Sequence, residues 1–292
     1  MRRLHADLAL IFAAAVWGIA FLFQKSAMDH VGPLLFIGAR GVVAVLALLP
    51  VAIYEQRQSG GIPAAGLWKI AILGGAVFFL GGWLQQEGIK TATVTNTSFL
   101  TALYVIATPL VAWAVTGRAP SSLVWLAVLL SVIGTWLLGG GTLAAFSKGD
   151  TLVALSAIFW AVHVVITGKA ALYARPIGFT VAQFAVVGIL GVAGAAMLET
   201  VSFEGLKHAA VDIAFVGLLS TALTFTLLTV ALQHTPPSEV AVILSMEVLF
   251  AAAAGYLVLG ERLLPIGWAG AALILTAILL VQLGPLLLPS RR

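Results

Sequence analysis

The sequence predicts an all-α membrane protein of ten transmembrane helices, arranged as two inverted five-helix repeats around a central cavity. Three observations carry this expectation. Of 292 residues, 61% are hydrophobic and 9% charged, and mean hydropathy is +1.11; soluble domains carry about 25% charged residues. Ten apolar stretches of about 20 residues can be marked, each long enough at about 1.5 Å per residue to cross a hydrocarbon layer roughly 30 Å thick. Finally, sliding the chain against itself by 143 residues, without a gap, superposes Asp7 on Asp150, Trp17 on Trp160, Pro33 on Pro176, Phe36 on Phe179, Gly74 on Gly217, Gly117 on Gly260 and Trp125 on Trp268. Trp, Pro and Gly have roles that other residues fill poorly, so the coincidence marks a tandem duplication with repeats at 1–143 and 144–292.

The predicted spans lie near 7–28, 34–53, 67–90, 94–115, 122–141, 151–172, 177–199, 211–233, 237–259 and 265–287. Turn-forming residues separate them, among them Gly32-Pro33, Arg118-Ala119-Pro120, Arg175-Pro176 and Pro236-Pro237. The first stretch follows Met1-Arg2-Arg3 in the manner of a signal peptide, but its match to the segment around Trp160 marks it as a retained helix of the repeat. The sequence has no cysteine, which excludes disulfides and thiolate metal sites.

Five helices per repeat is an odd number, so the second copy enters the membrane from the opposite face. Arg2, Arg3, Arg57, Lys69, Arg118, Lys169, Arg175, Arg291 and Arg292 fall on the side of the amino terminus, against Lys25, Lys90, Lys148, Lys207 and Arg262 on the other. This excess predicts that both termini are cytoplasmic. Inverted repeats give two conformations of similar energy open to opposite sides, the device of secondary transporters. No Gly-rich segment ends in the Lys-Ser/Thr of a phosphate loop, and GILGVAG lies inside an apolar span with no strand before it.

Few polar groups lie within the spans. Glu247 stands near mid-bilayer, where an ionised carboxylate costs about 2.5–3.5 kcal/mol. It is either a carboxylate that titrates or binds a substrate amine, or a partner for a donor on a neighbouring helix. Arg40, deep in the second span, is expected to pair with Glu87; an anionic substrate group is the alternative. Ser156, Trp160, His163 and Thr167 share one helical face, as do Thr97, Thr101, Tyr104 and Thr108. The first span adds Trp17, Phe21 and Gln24, and the third adds Phe79, Trp83 and Gln86. Single members of such stripes serve as packing or interhelical hydrogen bonds, but four stripes together describe a cavity with aromatic and hydroxyl walls. It suits a small, partly apolar solute, with Ser245 among the groups for its polar end and Glu247 as the charge. Sugar phosphates and nucleotides would ask for several buried cations, and the spans hold only Arg40.

The stretches AVWGIAFLFQKSAMDHVGPLLFIGAR and LQHTPPSEVAVILSMEVLFAAAAGYLVLGERL resemble signatures of the drug/metabolite transporter superfamily in its ten-helix EamA branch. The resemblance spans both repeats and implies inverted five-helix units around a central cavity, cytoplasmic termini, and export of small metabolites, with similarity to the branch's bacterial aromatic amino acid exporters. Pro109 matches the family's helix 4 proline, while the repeat-equivalent position in helix 9 is Ala252. The reading is therefore a transporter exporting aromatic or other apolar amino acids by alternating access. A proton-coupled exporter of lipophilic cationic drugs and a lipid flippase or scramblase are the alternatives. An enzyme is disfavoured, because one buried His and one mid-membrane Glu supply neither a nucleophile with its base nor a metal set. The expected partners are a small-molecule substrate, the lipid bilayer and, if Glu247 titrates, protons; no cofactor, metal or nucleic acid is called for.

Overall fold

The computed structural model describes residues 3–59, 64–138, 140–141, 147–260 and 265–287, and these are almost wholly helical. The chain forms α1 (Arg3–Ala27), α2 (Pro33–Gln58), α3 (Ala65–Ile89), α4 (Val94–Thr101), α5 (Tyr104–Thr116), α6 (Ser122–Leu138) and α7 (Lys148–Ala171). It continues through α8 (Pro176–Leu198), α9 (Phe203–His208), α10 (Ala210–Phe215), α11 (Thr224–Ala231), α12 (Pro237–Leu244), α13 (Glu247–Leu259) and α14 (Pro265–Leu287), with π-helical Val216–Leu223 joining α10 to α11. Among the described residues, eight helical segments are long and apolar enough to cross a membrane, counting α4 with α5, α10 with α11, and α12 with α13. Two shorter apolar helices, Ser122–Leu137 and Pro265–Val281, stand where the expected fifth and tenth spans lie.

Element boundaries repeat at the sequence offset. α4 and α12 begin and end 143 residues apart, and so do α5 and α13. Gly117 and Gly260 close the latter pair with φ of 69° and 68°, a left-handed conformation in which a side chain is strained. Gly117→Ala should therefore lower stability by about 1 kcal/mol; an unchanged melting temperature in detergent would count against this assignment.

Helix 4 is broken between α4 and α5 at Ala102-Leu103, and helix 9 between α12 and α13 at Ser245-Met246. Pro109 lies within α5, past the break. The matching break without a proline in helix 9 shows that proline chemistry is not its cause, although Pro109 deprives the Val105 carbonyl of its usual donor.

α2 and α8 pack antiparallel through glycines. A Cβ on Gly191 would fall on the backbone of Gly38, and one on Gly41 on the backbone of Phe184 and Gly188. Each end of this pair is held by a carboxylate of the other helix. Leu34 N and Leu35 N donate to Glu199 Oε1 and Oε2 at 2.8 and 2.9 Å. Ile177 N and Gly178 N donate to Glu55 Oε1 and Oε2 at 3.1 and 2.7 Å. These amides have no partner inside their own helices, and the positive end of the helix dipole favours the anion. Glu55→Ala and Glu199→Ala should each cost about 1 kcal/mol, read as additive losses in thermal stability.

Around this axis α1 packs chiefly on α11 and α13, whereas α7 packs chiefly on α3 and α5. Two interleaved helix groups result, and their shared core runs from Leu10 of α1 through Phe78 of α3 and Phe184 of α8 to Leu244 of α12.

Candidate functional site: an aromatic cavity at the helix breaks

The breaks in helices 4 and 9 meet α1, α2, α3, α7 and α11 around a cavity of about 60 Å³. Its wall is formed by Trp17, Phe21, Gln24, Arg40, Gln85, Thr101, Tyr104, Trp160, His163, Val164, Ser220, Phe225, Leu228, Leu244 and Glu247. That is room for a few water-sized groups, against roughly 300–1,000 Å³ for small-molecule sites, so a small-molecule guest requires the wall to part.

Aromatic rings fix one side. Phe78 of α3 meets Trp160, Phe184 and Phe225 edge-on at centroid distances of 5.0, 4.8 and 5.1 Å, an arrangement favoured by ring quadrupoles. Trp17 stacks obliquely on Phe225 at 4.8 Å, and its Nε1 donates to Thr224 Oγ1 at 2.7 Å and to the Ser220 carbonyl at 3.0 Å. His163 is fully enclosed and its Nε2 lies 2.8 Å from Gln183 Oε1. That bond fixes the imidazole between α7 and α8.

Of the two ionisable groups of opposite sign, Arg40 lacks its expected partner. Arg40 is 4% exposed, its Nε donates to Thr221 Oγ1 at 2.8 Å, and its guanidinium lies 5.5 Å from the centre of the Phe78 ring. Among the described residues no carboxylate comes within 4.0 Å of it. The expected pairing with Glu87 is therefore corrected: Glu87 pairs at 3.1 Å with Lys90, and its side chain is 40% exposed. Near the end of α3, that carboxylate gains more from water than from a dry partner several turns away. Phe78 and Thr221 are repeat equivalents, so Arg40 lies between matching positions of the two halves.

Glu247 is the first residue of α13 and Tyr104, its repeat equivalent, the first residue of α5. Their polar ends face one another and interact directly. Among the described residues Gln24 Oε1 and Trp160 Nε1 have no hydrogen-bond partner. Buried polar atoms are normally satisfied, so these two mark the polar part of the wall.

Trp17, Phe21, Gln24, Thr101, Tyr104, Trp160, His163 and Glu247 thus converge on the cavity, whereas Thr97, Thr108, Ser156 and Thr167 of the same stripes lie outside its lining and bond to carbonyls three or four residues back. Phe79, Trp83, Gln86 and Ser245 lie outside the lining. Phe79 and Trp83 pack against the cluster of Phe36 and Leu35, Gln86 Nε2 approaches Met28 Sδ at 3.8 Å, and Ser245 donates to the Val242 carbonyl at 2.6 Å. On α3 the inward polar residue is Gln85, which donates to Thr101 Oγ1 at 2.8 Å; one helical step, about 100°, separates it from the expected Gln86. Ser220 and Phe225 carry no sequence signal, because the π-helical stretch Val216–Leu223 breaks the period by which a face is read.

A bundle of apolar helices enclosing an aromatic-walled cavity with a buried Arg and Glu at helix breaks defines a multi-pass membrane protein of transporter type. The chain belongs to the EamA-like transporter family, whose family model matches it twice, over residues 4–140 and again over 147–283. It is 30% identical over 283 residues to an uncharacterized transporter of Archaeoglobus fulgidus, covering 97% of this chain and 87% of that one. It is 23% identical over 291 residues to the uncharacterized transporter YwfM of Bacillus subtilis, covering 96% and 94% of the two chains. A segment of 92 residues is 30% identical to an S-adenosylmethionine/S-adenosylhomocysteine transporter of Chlamydia muridarum, covering 31% and 29%. A crystal structure with 15% sequence identity superposes with a TM-score of 0.79, covering 99% of this chain and 100% of that one, and so shares the fold.

Proposed function

We propose that this protein is a secondary transporter that exports aromatic or other apolar amino acids across a bacterial inner membrane. Its two inverted five-helix repeats, 1–143 and 144–292, alternate access to the cavity, with both termini in the cytoplasm. The observation that carries this reading is one cation and one anion, Arg40 and Glu247, both buried in one aromatic-walled cavity and neither in an ion pair. A zwitterion with an apolar side chain supplies each group with its complement. The carboxylate suits the Arg40 guanidinium, the ammonium suits Glu247 and Tyr104, and the side chain suits the rings of Trp17, Trp160 and Phe225. The partial relative that transports S-adenosylmethionine handles an amino acid joined to an aromatic base, a chemistry compatible with such a wall.

A proton-coupled exporter of lipophilic cations is the second reading, favoured by Glu247 among aromatic rings and opposed by the like charge of Arg40. A lipid flippase or scramblase is tested by headgroup transport in the same vesicles. Proteoliposomes should take up labelled Phe and Trp saturably, with Lys and a lipophilic cation transported at least tenfold more slowly. Gradient-driven cation flux without amino acid transport would overturn the proposal in favour of the drug exporter.

A further inference from the structure

The two ends of the bundle are built from equivalent residues in different arrangements. Leu22, Ile89 and Val94 pack with Phe21 and Ala251 into a buried cluster at the end opposite the amino terminus. Their counterparts 143 residues on, Val165, Leu232 and Pro237, line a second cavity of about 660 Å³ at the other end. One end is therefore filled where the other is open.

Lys25 stands at the filled end, in the last turn of α1. Its Nζ donates to the carbonyls of Ile89, Lys90 and Ala92 at 2.6, 3.0 and 3.1 Å. This uses all three ammonium protons on carbonyls at the end of α3 and in the turn that follows it. The link crosses between the group in which α1 packs on α11 and α13 and the group in which α7 packs on α3 and α5. Its repeat counterpart is Gly168, which lines the open cavity and faces Leu232 and Pro237. The neighbouring Lys169 is exposed on that cavity's rim and has no ion-pair or hydrogen-bond partner among the described residues. Glycine at position 168 has no side chain with which to make at the open end the bridge that Lys25 makes at the closed one.

We infer that Lys25 is a one-sided latch, holding the end opposite the amino terminus closed and setting the resting orientation of the transporter. The inference rests on the alternating-access reading. With the termini cytoplasmic, the latch keeps an empty exporter open to the side from which it loads.

The chain lacks cysteine, so spin-label pairs can be introduced without background. Asp29→Cys with Lys90→Cys reports the latched end, and the repeat-equivalent Leu172→Cys with Gln233→Cys reports the open end; all four sites are exposed. In proteoliposomes the parent should show a short distance at the latched end and a long one at the open end. Lys25→Met should raise the population with the opposite pattern about tenfold, the loss of roughly 1.4 kcal/mol from a charge-assisted cap, and Lys25→Arg should largely restore the parent distribution. Gly168→Lys, which builds the missing bridge, should move the population in the same direction as Lys25→Met. Two exchanging distance sets that ignore Lys25→Met would overturn the latch while leaving alternating access standing. One fixed distance set in every sample would overturn both.

Discussion

Arg40→Leu should reduce Phe and Trp transport in proteoliposomes by at least about 100-fold while leaving thermal stability equal to or above that of the parent. Among the described residues Arg40 has no carboxylate partner. A buried cation without a counterion loses several kcal/mol of hydration, and its stacking on Phe78 and its bond to Thr221 recover only part of that. A structural arginine would show the reverse, a fall in stability accompanying any fall in flux. Glu247→Gln extends the test to the other pole. It keeps the shape but removes the negative charge, and if Glu247 couples protons, any dependence of flux on a pH gradient should vanish. Gradient-driven flux that persists in that variant excludes Glu247 as the coupling group, and transport at parental rates by both variants would sink the zwitterion reading.

The second large effect is structural. Gly191→Leu should yield no folded monomer in mild detergent, because its side chain would begin inside the backbone of Gly38 and neither helix has a flexible atom there to yield. Overpacking against side chains costs about 1–3 kcal/mol; overpacking against backbone separates α2 from α8 and withdraws Glu55 and Glu199 from the amides they hold. Gly194→Ala, whose Cβ would meet only the end of the Leu34 side chain, is the control, with a shift of less than about 1 kcal/mol. Gel filtration of the two variants separates steric exclusion from a general dislike of side chains on that face.

Much of the architecture was legible because duplication repeats its own punctuation. Gly117 and Gly260 mark two helix ends, and Pro33 and Pro176 two helix starts, through backbone chemistry that no tertiary context changes. Trp17, Trp160 and His163 reached the cavity because their helices run unbroken through it. The errors fall where that regularity stops. Gln85 was missed for Gln86 because α3 is apolar on nearly all sides, so its inward face is chosen by neighbours rather than by its own pattern. Phe225 follows a π-helical stretch that shifts the face by a fraction of a turn. The freedom of Arg40 was invisible for another reason: pairing depends on depth within the bundle, and sequence gives only the order of residues along a span.

The crossed carboxylates of α2 and α8 bear on how such a chain could have arisen. Each half carries a bare helix start whose best anion lies near the end of the equivalent helix in the other half, Glu199 for Leu34 and Leu35, Glu55 for Ile177 and Gly178. A single half contains both the need and the remedy but cannot apply one to the other, since they sit at opposite ends of one rod. Two copies laid head to tail answer each other fully. Segments 1–143 and 144–292, made as separate polypeptides, should then be degraded alone and recovered as a pair when produced together.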